Sequence, residues 1–185
     1  MITKRFLCLI AFVCCCFSAA SFAEIKAGDK LQTLVNLHPD VNKRLVYAIN
    51  YQLSGGLIPV CSEITITKVK KKQIKFEWSG LEYQLQWDGH TKKAGISLAE
   101  VADNFFGADC KKGDIAKMSE KDQEGIRKGL PLEGMTRKGI LIAMGRPPYH
   151  ANPSLEAPTY MYWLNRFKKK AVDFNEEGVV IDVRL

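Results

Sequence analysis

Hydrophobic and polar positions change period along this chain, and the change divides it. From Ala27 to Trp87 the period is two. Lys30 to Leu37 and Arg44 to Tyr51 read as strands on either side of the turn sequence His38-Pro39-Asp40, and Gly55-Gly56 breaks the chain before Leu57 to Val60. Polar and apolar residues then alternate through Glu63 to Val69, Gln73 to Trp78 and Glu82 to Trp87, with Ser79-Gly80 as a turn between the last two. Short strands at this spacing predict a small antiparallel barrel or a bent meander. Beyond His90 the period lengthens. Ser97-Leu98-Ala99-Glu100 is a capping box opening a helix through Val101, Phe105 and Phe106 to Gly107, and Ser119 to Asp122 opens a second through Ile126 to Gly129. These two connecting helices lead into a third. Thr136 is its N-cap, Met135 packs on Ile140 as a hydrophobic staple, and Gly145 at a left-handed stop is followed by Pro147 and Pro148.

After that helix the period returns to two. Tyr160 to Leu164, Arg166 to Phe174 and Val179 to Val183 are rich in aromatic and β-branched residues, with turn formers at Asn165 and from Asn175 to Gly178. The prediction is an α+β protein: an N-terminal antiparallel barrel or meander, two connecting helices, then a helix packed on a three-stranded antiparallel sheet. The order Gly134-Met135-Thr136, apolar helix, Gly145-x-Pro147, aromatic strand and Asn175-x-x-Gly178-x-Val180 resembles the SmpA/OmlA family over the last third of the chain. That resemblance implies a scaffold or accessory role in envelope or outer-membrane protein assembly, through contacts with envelope proteins such as outer-membrane assembly subunits. The segment from Gly56 to Trp87 resembles SH3-type barrels of the bacterial envelope. The expected division is 1–23 as a leader, 24–93 as a β-rich SH3-like unit and 94–185 as an SmpA/OmlA-like α+β domain.

The leader reading rests on three features in order. Lys4 and Arg5 precede an apolar run from Phe6 to Phe17, and Ser21-Phe22-Ala23 is a small-residue cleavage site before Glu24. The run falls short of the roughly 20 residues that a spanning helix needs. Relatives in the resembled family carry a lipidated N-terminal cysteine, preceded by an aliphatic residue three positions before and a small residue directly before; Cys14 follows Ala11-Phe12-Val13 and Cys15 and Cys16 follow cysteine, so none fits that pattern well. The expectation is export to the periplasm or cell envelope without an acyl anchor.

Export changes the meaning of the cysteines. Of six, Cys8 and Cys14 to Cys16 lie in the leader, which leaves Cys61 and Cys110. One pair in an oxidising compartment favours a structural disulfide over free or nucleophilic thiols. With Cys61 at a strand of the barrel-like part and Cys110 between two helices, such a bridge is expected to tie the first unit to the second.

Charge adds a second suggestion. The chain has 27 basic against 20 acidic residues, and the basic ones bunch at Lys68 to Lys75, Lys92-Lys93, Lys111-Lys112 and Arg166 to Lys170. An exported protein without a nucleic-acid motif is an unlikely partner for nucleic acid, so anionic lipid or cell-wall polymer are the candidates, against plain solvation of turns and edge strands. The candidate interaction surface is Tyr160, Tyr162, Trp163, Arg166, Lys168, Lys169 and Lys170, where an aromatic strand meets a basic cluster; the aromatic residues read equally as core.

Catalytic signals are weak. His38, His90 and His150 are scattered beside turns, without metal-ligand spacing, and no phosphate-binding loop occurs. A Cys61 or Cys110 dyad with His90, oriented by Asp88, is conceivable for a cysteine hydrolase, but a ready disulfide partner argues against it. The expectation is a non-enzyme without cofactor or metal. The runner-up is a periplasmic peptide- or wall-binding module, or an inhibitor, unrelated to outer-membrane assembly.

Overall fold

A computed structural model describes residues 24–52, 55–165 and 167–185. Residues 1–23, read from the sequence as a leader and holding four of the cysteines, and Arg166 lie outside the described residues. The fold is α+β. A six-stranded sheet contains β1 (Lys30–Thr33), β2 (Leu45–Tyr47), β3 (Glu63–Lys70), β4 (Gln73–Trp78), β5 (Leu81–Gln86) and β6 (Phe106–Gly107), in the order β2-β5-β4-β3-β1-β6. A second, antiparallel sheet runs β7 (Thr159–Trp163), β8 (Lys169–Phe174), β9 (Val180–Arg184) in sequence order. The helices are α1 (Gly89–Lys93), α2 (Leu98–Phe105), α3 (Lys112–Ile115), α4 (Glu120–Lys128) and α5 (Arg137–Met144).

The β3-β4-β5 meander follows the alternation closely, with Ile64, Ile66, Ile74, Phe76, Tyr83 and Leu85 all facing inward. Its flanks depart from expectation. β1 sits between β3 and β6, and β2 pairs in parallel with β5, so the first sheet is mixed rather than wholly antiparallel. Both early strands are shorter than the apolar pattern suggested. Past Thr33 the backbone leaves the sheet to bond helices: Leu34 N donates to Phe105 O and Asn36 N to Ile142 O. The segment Leu57 to Val60 contributes only an isolated bridge, Ile58 to Leu37.

Neither predicted connecting helix is merely a connection. The capping box at Ser97 forms as expected, and Val101, Ala102, Phe105 and Phe106 complete the first core. That core therefore runs past residue 93, the expected boundary, because β6 must return to pair with β1. The second core gathers Ile126 of α4, Met135, Ile140, Ala143 and Met144, and Tyr160, Tyr162, Val172, Phe174 and Val180 of the sheet. Only the serine half of the second box forms: Ser119 accepts from Asp122 N. The Asp122 carboxylate instead accepts from Thr136 N at 2.8 Å and from Thr136 Oγ1 at 3.1 Å, so it clasps α4 to the start of α5. Gly125 and Gly139 make this approach possible, since a Cβ at either would collide with Met135 Sδ or Asp122 Oδ1. The Leu130 to Glu133 segment thus spans two directly packed helices.

Thr136 caps α5 as read, accepting from Gly139 N at 3.1 Å. Gly145 ends it differently. Its φ of 73° and ψ of 179° lie outside the left-handed helical well, in a region open essentially to glycine alone. Cys61 and Cys110 form a disulfide spanning 49 residues. The bridge does not join the two units as expected. Cys61 precedes β3 and Cys110 follows β6, the two strands that flank β1, and Cys61 N donates to Thr33 O at the end of β1. It staples the first sheet where the chain departs for α3.

Candidate functional site

The two cores are joined instead through the C-terminal end of α5. A helix leaves its last carbonyls without intrahelical donors, and here they are met by groups far away in sequence. Ile142 O accepts from Asn36 N at 2.9 Å, and Ala143 O from Asn36 Nδ2 at 3.2 Å and from His38 Nε2 at 3.1 Å. Met144 O accepts from Asn50 Nδ2 at 2.9 Å, and Gly145 O from the Tyr162 hydroxyl at 2.9 Å. The amide oxygens are used too: Asn36 Oδ1 accepts from Val60 N and Asn50 Oδ1 from His38 N. Asn36, His38 and Asn50 are all buried. Burial lowers the His38 pKa to about 4, with nearby Lys170 adding to the effect. A neutral His38 that donates from Nε2 follows from the carbonyl it faces. Asn36 and Asn50 carry no sequence signal beyond polar character inside an apolar stretch, and His38 reads only as the start of a turn.

This seam decides the fate of the expected interaction residues. Tyr160 is fully buried and Tyr162 is 3% exposed, so both belong to the second core and not to a surface. Burial raises the Tyr162 pKa well above its ordinary value. Lys170, opposite Tyr162 in the β7–β8 ladder, is also buried, with its pKa lowered by burial. Its Nζ reaches Gln52 Oε1 at 3.4 Å. Alternation along β7 and β8 turns Trp163, Lys169 and the following turn the other way. Trp163 is half-buried, and Lys168 and Lys169 are exposed. Gly134, Met135, Thr136, Gly145 and Pro147, on which the SmpA/OmlA resemblance rests, do structural work: Gly134 N donates to Val180 O, Val180 N donates to Met135 O, and Met135 and Pro147 are buried.

Around Trp163 the fold assembles a group that sequence spacing did not reveal. His90 of α1 and His150 of the loop after α5 stack with ring centroids 4.8 Å apart. Both lie against Trp163, at 6.1 and 5.5 Å, and the Lys169 ammonium sits 4.6 Å from the indole centroid. The His150 pKa is lowered by burial first and by neighbouring His90 second. Asp88 is occupied as the N-cap of α1, accepting from His90 N and Thr91 N, and no group of three or more metal-ligating side chains occurs among the described residues. With Cys61 and Cys110 joined in the disulfide, neither offers a free thiol for a dyad with His90.

Direct contacts also connect the lysine clusters. Lys72 O at the β3–β4 turn accepts from Trp87 N, and the chain from Trp87 runs straight into α1 with Lys92 and Lys93. α1 in turn meets β7 and β8 through His90, Trp163 and Lys169. Among the described residues, Lys70, Lys71, Lys72, Lys92, Lys93, Lys168 and Lys169 form no ion pair, whereas Lys43, Lys75, Lys111, Lys121 and Lys128 each do. Beside Lys168 and Lys169 lies a shallow groove of about 570 Å³ formed with Leu164, Phe167 and Leu185. Phe167 is 79% exposed.

The molecule is therefore an α+β protein of two cores welded at one helix end. No helix of the described residues is long and apolar enough to cross a membrane. No family model, curated protein or solved structure matches the chain.

Proposed function

We propose that this chain is an exported, non-enzymatic scaffold or accessory protein of the cell envelope, of the kind the SmpA/OmlA resemblance implies, acting by contact with envelope proteins and anionic surfaces. The observation that supports it is the face around Trp163, Phe167, Lys168 and Lys169. There un-neutralised lysines and exposed apolar side chains occur together on a hairpin held by a stapled, internally bonded body. Large exposed apolar groups beside unpaired charge suit recognition better than catalysis. The disulfide is compatible with an oxidising compartment.

A second reading has its own observation. The first sheet offers an open polar hollow of about 410 Å³ lined by Lys30, Gln32, Glu63, Thr65 and Glu77, which would suit a peptide or wall fragment. Affinity capture from crosslinked envelopes, set against sedimentation with purified murein, separates the two. The scaffold reading expects discrete envelope proteins, outer-membrane assembly subunits among them, and no co-sedimentation. Murein binding that is lost on Glu63→Lys with Glu77→Lys, without protein capture, would replace it with the wall-binding reading.

A further inference from the structure

We propose that the groove between the β7–β8 turn and the end of β9 docks an acidic segment of a partner protein, one that places a large apolar side chain on the Leu164–Phe167–Leu185 floor. The inference rests on the reading that this face is the interaction surface, and it names the partner's chemistry. Three features argue for such an occupant. The floor is apolar, and the groove is shallow and open, with a volume of about 570 Å³. A planar headgroup layer would leave the hollow unfilled, whereas a protruding Phe, Leu or Met side chain with its flanking residues enters it.

The rim supplies the charge. Lys168 and Lys169 border the groove without ion pairs among the described residues, Lys169 resting on the Trp163 indole, so carboxylates flanking the apolar anchor meet ammonium groups that no protein carboxylate neutralises. Lysine, a compact point charge on a flexible stem, suits a sequence-tolerant acidic segment better than one fixed carboxylate, for which arginine's fork is the better match. The third feature is extent. From Lys169 the basic surface continues past Trp163 and His90 to Lys92 and Lys93 of α1, offering further positions to a segment that runs on beyond its anchor. Among the described residues, no buried, fixed polar group lines the groove to orient a small molecule.

A random twelve-residue display library panned on the purified, disulfide-bonded protein tests this. Enriched peptides should carry several Asp or Glu around one large apolar residue. A fluorescent copy of the leading peptide should bind at least tenfold more weakly to Lys168→Glu with Lys169→Glu, and more weakly again as salt rises. Phe167→Ala should weaken it severalfold, while Lys168→Arg with Lys169→Arg should retain it. Circular dichroism of each variant separates loss of binding from loss of fold. Absence of enrichment, enrichment without acidic excess, or a peptide indifferent to charge reversal would overturn the proposal. So would binding to vesicles of phosphatidylglycerol and phosphatidylcholine at low salt combined with failure of the peptides, which would assign the face to lipid. If acidic peptides bind as expected but envelope capture yields no protein, the groove stands and the envelope-scaffold reading falls.

Discussion

The two cores of this protein are built by opposite strategies. In the second, every strand pairs with its sequence neighbour, β7 to β8 to β9, and the helix above them carries its own cap at Thr136. In the first, β1 is inserted between strands that follow it by some 30 and 75 residues, and β2 returns in parallel beside β5. The first core cannot close until distant segments have met. It is also the one that carries the disulfide, whose cysteines adjoin the two strands that flank β1. The comparison teaches where cross-linking is most useful: a covalent loop removes unfolded-state freedom where the native pairing is least local.

The strongest way to break that comparison is to remove the staple. Cys61→Ser with Cys110→Ser should cost on the order of 2–5 kcal/mol in urea unfolding, near the roughly 4 kcal/mol that loop-closure entropy gives for a loop of this length. Because Asn36, His38 and Asn50 hold the end of α5, both cores should still unfold in one transition. Separate transitions, with fluorescence and far-ultraviolet dichroism no longer coincident, would show two independently stable units.

Acid sharpens the same point at the seam. The folded-state pKa of His38, about 4, lies below the ordinary 6.5, so the unfolded chain takes up the proton first. Its stabilising contribution is whole above about pH 6.5, falls as pH drops through that value, and levels off below about 4. The difference corresponds to about 3 kcal/mol. His38→Gln should flatten the stability profile across that window. An equally steep profile in the variant would place the sensitive group elsewhere.

A smaller effect is expected at the clasp between α4 and α5. Thr136→Ala removes the N-cap of α5 and one of the bonds to Asp122, and should cost about 1–2 kcal/mol. Thr136→Ser should recover most of it, as thermal unfolding of the pair would show. The smallest change belongs to the candidate surface. Lys168→Glu with Lys169→Glu should move stability by less than about 0.5 kcal/mol, since these side chains are solvated. A larger loss would mean that the Lys169–Trp163 contact supports the junction of α1 with β7 and β8.

How much of this was legible depended on the range of the interactions involved. The helix capped by Thr136, the capping box at Ser97 and the β3-β4-β5 meander are written in residues within a few positions of one another, and they form as read. The aromatic run Tyr160 to Trp163 identified a strand with apolar residues on both faces. It could not say that Tyr160 and Tyr162 face α5 while Trp163 faces two histidines, because which face is covered depends on what packs there. Asp122 was read as half of a capping box from spacing alone, and a donor fourteen residues away claimed its carboxylate.

By itself, then, the sequence determined the local elements: periods, caps, turns and the availability of one cysteine pair, all set by backbone sterics and by hydrogen bonds over a few residues. The tertiary structure alone decided the insertion of β1, the parallel pairing of β2, the capping of α5 by Asn36, His38 and Asn50, and the meeting of His90, His150 and Trp163. These depend on burial and on unsatisfied polar groups finding partners from remote segments. A buried carbonyl needs a donor, but nothing in its own neighbourhood specifies which one will arrive.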